Sequence, residues 1–103
     1  MITVHLTFFI RRFGQYTQSA RLGHSVLVLR DGAAYCLLVH PSVLTEEELQ
    51  QCRVLTTTQF FRSAHAVCDE VHGSRSRCLV TVRGHAVGCL VEPGFLKRAE
   101  AVQ

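Results

Sequence analysis

The amino-acid sequence predicts a small α+β protein, and three patterns indicate this class. Residues 57–72, TTQFFRSAHAVCDEVH, repeat apolar side chains at the spacing of one helix face. The segments 25–40 and 78–92, which flank this helix, each have the pattern of a β-hairpin. With 103 residues, the chain is expected to form a single α+β domain over 1–103. We expect a mostly antiparallel sheet of about five strands, in the order β-ββ-αα-ββ, with two helices packed on one face.

The first predicted strand covers residues 2–10, where apolar residues alternate with Thr3, His5 and Thr7. This period of two is typical of a strand with one buried face. Residues 11–24 are polar, contain glycine and have no clear period, so they are predicted to form a long flexible loop. Long loops in compact domains often carry function, and this one is the first candidate for a binding surface.

The first hairpin turns at Asp31-Gly32, a pair that tolerates the positive φ angles of a tight turn. Its second strand contains three consecutive apolar residues, 37–39, and is expected to be central and covered on both faces. Thr45 and Glu48 then form a predicted capping box for a helix that runs to about residue 53. Residues 54–58 fit either a short strand or a link into the helix over 57–72.

Threonines precede this main helix as N-caps, and Gly73 follows it as a C-terminal stop. A loop over 74–77 leads to the second hairpin, which is predicted to turn at Gly84-His85. Glu92-Pro93-Gly94 ends the last strand, and residues 93–103 are expected to form a frayed terminal helix. The tripeptide His-Ala-Val occurs at 65 and 85, once in a helix and once in a strand, and is not interpreted as a repeat.

Composition restricts the class of protein. Apolar residues make up 48% and charged residues 18%, which excludes a disordered chain and predicts surplus apolar surface, hence a homodimer. The net charge is +3, with basic flanks around an acidic middle. Five cysteines cannot all pair, no signal peptide is recognisable, and no apolar run reaches the roughly 18 residues of a membrane span. We therefore expect a cytoplasmic protein without a membrane partner.

A metal site is one candidate chemistry. His65, Cys68 and His72 fall within about 60° of one another around the predicted helix, beside its apolar stripe. His85 or Cys89 of the second hairpin could complete a zinc site. Because no CxxC pair is present, we favour buried cysteines with boundary histidines, and no cofactor is expected. A thiol nucleophile is disfavoured for the same reason, since the cysteines in apolar strands are expected to be buried and inert.

Two short elements, His5-Leu6-Thr7 and His40-Pro41-Ser42, resemble the paired H-x-[TS] elements of the 2H phosphoesterase family. In that family the two histidines serve as acid and base on a phosphodiester, so the resemblance implies this role for His5 and His40. It covers six residues. Histidines on a solvated strand face explain the same pattern, and we favour that interpretation.

The sequence contains no motif of a reaction, so binding is favoured over catalysis. We predict a non-catalytic interaction, regulatory or accessory protein that acts through protein–protein contacts with a partner or with a second copy. The alternative is a module that binds RNA or single-stranded nucleic acid with an arginine-rich loop surface. The residues expected to bind the partner or nucleic acid are Arg11, Arg12, Phe13, Tyr16, Arg21, Arg75, Arg77 and Arg83.

Overall fold

The computed structural model describes residues 1–73 and 76–102, and these form one six-stranded sheet with six α-helices. The strands are β1 (Ile2–His5), β2 (Val26–Arg30), β3 (Ala33–Val39), β4 (Arg53–Thr56), β5 (Cys78–Val82) and β6 (His85–Val91). The helices are α1 (Leu6–Arg11), α2 (Phe13–Arg21), α3 (Glu46–Gln50), α4 (Thr57–Arg62), α5 (Ala64–His72) and α6 (Leu96–Val102). The predicted α+β class is confirmed.

The sheet has the strand order β1-β2-β3-β6-β5-β4. The outer pairs β1–β2 and β4–β5 are parallel, and the three inner pairs are antiparallel. The prediction of a mostly antiparallel sheet is therefore confirmed. The sixth strand is β4, which forms where the sequence allowed either a short strand or a link.

Helices cover both faces of this sheet rather than one. On the first face, α1, α2, α4 and α5 pack on a core that includes Cys36 and Leu38 of β3. On the second face, α3, α6 and two single 3-10 turns, Pro41–Val43 and Pro93–Phe95, pack on Leu37 and Val39. The consecutive apolar residues of β3 therefore serve two cores, as expected for a strand covered on both faces.

The chain consists of two structurally equivalent halves. Each half runs strand, helix, helix, hairpin, 3-10 turn and short helix. Ile2–His5 corresponds to Arg53–Thr56, an offset of 51 residues, and Val26–Arg30 corresponds to Cys78–Val82, an offset of 52. The halves meet where β3 pairs with β6, and they exchange helices, because α2 packs on β6 and α5 packs on β3.

Local details repeat as well. The Ile2 amide donates to the Ser25 carbonyl at 3.0 Å, and the Arg53 amide donates to the Arg77 carbonyl at 2.8 Å. Both hairpins contain a register shift at the same position of the first strand. Both turns place a non-glycine residue at φ 52° before a glycine at φ 78° or 79°. Identical residues recur at the offset of 52, among them Gly32 and Gly84, Leu38 and Leu90, and Pro41 and Pro93. The repeat was obscured because residues 6–24 were expected to form strand and loop, whereas the equivalent segment 57–72 was expected to form a helix.

The predicted long strand and loop over residues 2–24 are wrong beyond His5. Leu6, Phe9 and Phe13 are buried at helical spacing, and this pattern competes with the alternation that predicted a strand. His5 caps α1, because its Nδ1 accepts a hydrogen bond from the Thr7 amide at 3.3 Å. Residues 11–24 are mostly helical, since α2 buries Phe13, Thr17 and Ala20 along one face.

Other predicted boundaries needed smaller corrections. The helix over 57–72 is present, but it is divided into α4 and α5 at Ser63, whose φ of −142° leaves the helical region. Gly73 ends α5 as predicted. The second hairpin turns at Arg83-Gly84, one residue earlier than predicted. The Thr45–Glu48 capping box is confirmed, with both of its hydrogen bonds present at 2.8 and 3.2 Å.

Candidate functional site

An aromatic cluster joins the two halves under the helices of the first face. The Phe13 ring at the start of α2 stacks on the Phe60 ring of α4, with centroids 4.1 Å apart. Phe9 meets Phe13 edge-on at 5.3 Å. Phe13 and Phe60 are completely buried, so Phe13 is a core residue and not the loop aromatic that the sequence predicted. Phe61, the next residue of α4, meets Phe13 edge-on at 5.7 Å and remains half exposed.

Exposed aromatic and cationic side chains occur in the two segments that the Phe13–Phe61 contact joins, α1 with its junction to α2 and the end of α4. We term this set the Phe–Arg surface: Phe8, Arg11, Arg12, Phe61 and Arg62. Phe8 and Phe61 are 51% and 50% exposed. The contact of Phe61 with Phe13 places the end of α4 beside the α1–α2 junction. Within residues 1–73 and 76–102, no carboxylate forms a salt bridge with any of the three arginines. The surface is therefore both apolar and positively charged.

The structure separates the rest of the predicted binding set. Tyr16 is half buried and stacks on Phe9 at 5.9 Å. Arg21 lies at the far end of α2, and Arg83 lies in the second hairpin turn. Arg77 is engaged in an internal ion pair. Arg75 lies outside the described residues. Arg11 and Arg12 are thus the predicted residues that lie at the α1–α2 junction, where Phe61 of α4 meets Phe13.

A charged network occupies the end of the second half. Arg77 donates to Glu92 at 2.9 and 3.1 Å, and its guanidinium lies 4.8 Å from the centre of the Phe95 ring. Arg98 lies over the same ring at 4.3 Å and donates to Glu48 of α3 at 2.6 Å. Cation–π contacts and charge-assisted hydrogen bonds therefore close this end of the molecule.

The equivalent end of the first half is open. A cleft of about 650 Å³ lies between the end of α2 and the 3-10 turn after β3. Its lining residues are Arg21, Leu22, Gly23, His24, Ser25, His40, Ser42, Val43 and Ala99. The sequence does not reveal this cleft, because its residues come from three separate segments and form no motif.

The metal candidates are not brought together. Cys68 is buried in the core of the first face, whereas Cys89 is buried in the core of the second. His72 stacks on the Tyr35 ring, and its Nδ1 lies 3.1 Å from the Tyr35 carbonyl oxygen. His65 and His85 are exposed on α5 and at the start of β6. Within the described part of the chain, no group of three His, Cys, Asp or Glu residues could hold a metal ion.

The thiols lie in environments that disfavour the reactive thiolate. Burial raises the pKa of Cys78 to about 12, and burial also raises the pKa values of Cys89 and Cys52. A hydrogen bond with Cys68, together with burial, raises the pKa of Cys36. A high pKa leaves little thiolate at neutral pH, which agrees with the expectation that these cysteines are inert.

The two histidines of the H-x-[TS] elements lie at opposite ends of the sheet. His5 pairs with Leu29 at the end of β2, whereas His40 follows β3 beyond the pairing of Leu38 with Val26. Each histidine caps its own following turn, and the Nδ1 atom of His40 accepts from the Ser42 amide at 3.1 Å. The arrangement does not provide the facing acid and base that the resemblance implies.

No protein-family model, curated protein or solved structure matches this chain. Every helix in the described part of the chain is too short or too polar to cross a lipid bilayer.

Proposed function

We propose that this protein is a non-catalytic interaction module that binds an acidic, partly apolar segment of a partner protein at the Phe–Arg surface. The observation that supports this proposal is the pairing of two half-exposed phenylalanine rings with three arginines that lack carboxylate partners among the described residues. Aromatic residues and arginine are enriched in the energetically dominant parts of protein interfaces. Acidic side chains would complement the arginines and steer the encounter.

The charge of this surface favours a different protein over a second copy. A two-fold dimer through the surface would set the same arginines against each other. The homodimer that composition predicts therefore remains a separate prediction, and the open edges of β1 and β4 are where a second copy would pair. Light scattering that gives a monomer mass at every concentration would contradict the homodimer.

Nucleic acid is the alternative ligand, and the geometry favours it less. Helices cover both faces of the sheet, so an open sheet surface for base stacking is lacking among the described residues. Phe13 is buried and Arg77 is paired internally, which removes two members of the predicted binding set. The Phe–Arg surface itself could still contact phosphates, and the experiment below separates the two ligands.

We also propose that the protein acts in a reducing compartment, as the predicted cytoplasmic location requires. All five cysteines are free, and four of them are buried in the two cores. A chain that folds with five thiols buried or half buried would risk wrong pairing in an oxidising compartment.

The test is a fluorescence-anisotropy titration with two labelled probes, a short amphipathic peptide of Glu, Asp and Leu and a single-stranded oligouridine. We expect the wild-type protein to bind the peptide. Phe61→Ser should lower the affinity for the peptide about tenfold or more, as removal of an interface anchor does. Val82→Ser is the matched control, because Val82 is also an exposed apolar residue but lies at the end of β5. The double variant Arg11→Ala with Arg12→Ala should lower the affinity for the peptide. The control double variant, Arg83→Ala with Lys97→Ala, should lower this affinity less.

Two results would overturn the proposal. One is the absence of peptide binding by the folded wild-type protein. The other is tighter binding of oligouridine that falls steeply with salt and depends on the arginines but not on Phe61, because counterion release dominates nucleic-acid binding. That second result would assign the surface to nucleic acid.

A further inference from the structure

The two halves differ most clearly at the cleft of the first half. Ser25 corresponds to Arg77, and His40 corresponds to Glu92, because both pairs are related by the 52-residue offset of β2 and β5. Val43 likewise stands where the second half has Phe95. The second half fills this space with an ion pair over an aromatic ring. Ser25, His40 and Val43 leave the same space open in the first half as a cleft of about 650 Å³.

The cleft is lined with hydrogen-bond donors. Arg21 supplies an exposed guanidinium, and its one side-chain hydrogen bond goes to Gln18 at 3.5 Å. The Nδ1 atom of His40 accepts from the Ser42 amide at 3.1 Å, so a neutral His40 ring carries its hydrogen on Nε2. His24 contributes a second imidazole ring. No carboxylate is among the described residues that line the cleft.

Ser25 offers the cleft a side-chain hydroxyl that the protein itself does not use. Its residue surface is 3% exposed, and it lines the cleft. Its carbonyl accepts from the Ile2 amide, but no hydrogen bond within the described residues occupies its hydroxyl. None of the described residues has a fully enclosed side-chain N or O atom without a partner, so the Ser25 hydroxyl keeps some accessible surface. The hydroxyl is therefore free to bond to a molecule that enters the cleft.

We infer that this cleft binds a small molecule that carries a phosphate group on an apolar body. Arg21, His24, Ser25 and His40 are potential donors on separate segments around the cleft, and a phosphate has more oxygens than a carboxylate to accept from them. Leu22, Val43 and Ala99 provide an apolar wall for the remainder of the ligand. The cleft volume falls within the range of about 300–1,000 Å³ that is usual for small-molecule sites.

This site is separate from the Phe–Arg surface, because Phe13 begins α2 beside that surface and Arg21 ends α2 at the cleft. The inference does not depend on the proposed protein partner. Peptide binding at the Phe–Arg surface and phosphate binding in the cleft are tested with different probes and different variants. Either proposal can therefore be refuted without affecting the other.

The test is an amide-resolved NMR titration of the full chain with phenyl phosphate. Saturable shifts are expected at Gly23, Ser25 and Ser42. Benzoate, which has the same ring with a planar anion, should bind more weakly, and inorganic phosphate should bind more weakly because it lacks the apolar body. Arg21→Ala should reduce the affinity for phenyl phosphate about tenfold, the usual effect of losing a charged hydrogen bond.

The decisive variant copies the second half into the first. Ser25→Arg combined with His40→Glu introduces the ion pair that the second half forms at the equivalent positions. This double variant should fill the cleft and abolish the chemical-shift changes caused by phenyl phosphate. His85→Glu is the matched control, because it makes the same change at an exposed histidine outside the cleft, and it should bind as wild type does.

Saturable binding that Arg21→Ala weakens supports the inference even if the double variant does not fold. The absence of saturable shifts in the wild type would overturn it. Equal binding by the folded double variant would also overturn it, because the phosphate would then lie elsewhere on the molecule.

Discussion

Arg77 donates two hydrogen bonds to Glu92, at 2.9 and 3.1 Å, and this pair has no counterpart in the first half of the chain. Ser25 and His40 occupy the corresponding positions. The backbone around the two places is the same, since the equivalent amides donate to the Ser25 and Arg77 carbonyls. The same backbone arrangement therefore holds an ion-pair network in the second half and an open cleft lined with hydrogen-bond donors in the first half.

Loss of the Arg77–Glu92 pair should destabilise the fold. The side chains of Arg77 and Glu92 are only 30% and 18% exposed. Glu92→Gln should lower the free energy of unfolding by about 1–2 kcal/mol, because a partly buried charge-assisted hydrogen bond is weakened. Urea denaturation followed by circular dichroism measures this change.

The matched control is Asp69→Asn, which removes the Arg30–Asp69 pair at 3.2 Å. Those side chains are 49% and 59% exposed, so solvent screens the pair. Its loss should cost no more than about 0.5 kcal/mol. Equal effects of the two substitutions would mean that the Arg77 network does not stabilise the fold beyond an ordinary surface ion pair.

Glu48 should contribute to the acid sensitivity of the protein. A hydrogen bond from the Thr45 backbone amide, followed by one from Arg98, lowers the pKa of Glu48 to about 2. The ordinary glutamate value is about 4.3, so the stabilisation is present above that pH and is lost as the pH falls through about 2. Glu48→Gln should be less stable at neutral pH, and its melting temperature should fall less over this acidic range.

Glu47→Gln serves as the control, because Glu47 is an exposed neighbour in the same helix turn. Its melting temperature should follow the wild-type pH dependence closely. If Glu48→Gln follows the wild-type curve as well, the capping box and the Arg98 contact are not responsible for the fall in melting temperature at acidic pH.

The buried thiols should resist modification. At mildly alkaline pH, Ellman's reagent should react within minutes with at most one thiol of the native protein, namely Cys52, which is half buried. Its Sγ lies 3.8 Å from that of Cys89. All five thiols should react after unfolding in guanidinium chloride. Rapid labelling of two or more cysteines in the native state would contradict the two-core packing.

Patterns that depend on local chemistry were predictable from the sequence. The Asp31-Gly32 turn and the Thr45–Glu48 capping box were identified because short-range sterics and hydrogen bonds define them. The segment 6–13 was misassigned because alternation over residues 2–10 obscured the helical spacing of Leu6, Phe9 and Phe13. Period-two and helical patterns overlap in short apolar runs, and tertiary packing decides between them.

The candidate sites were less predictable than the elements. Arg11 and Arg12 were selected for their charge, but Phe8, Phe61 and Arg62 were not, because the α4–α2 contact that brings them together is long-range. The cleft is open because the first half lacks the large side chains that fill the equivalent space in the second half. This difference becomes visible only when Ser25 is matched with Arg77, and that match requires the structure.

The most direct test of the proposed function is a map of amide chemical shifts during titration of the wild-type protein with the acidic amphipathic peptide. We expect the largest changes at the α1–α2 junction and the end of α4, around Arg12 and Phe61. Changes concentrated on the edge strands β1 and β4, or no saturable change, would contradict the assignment of the Phe–Arg surface as the binding site.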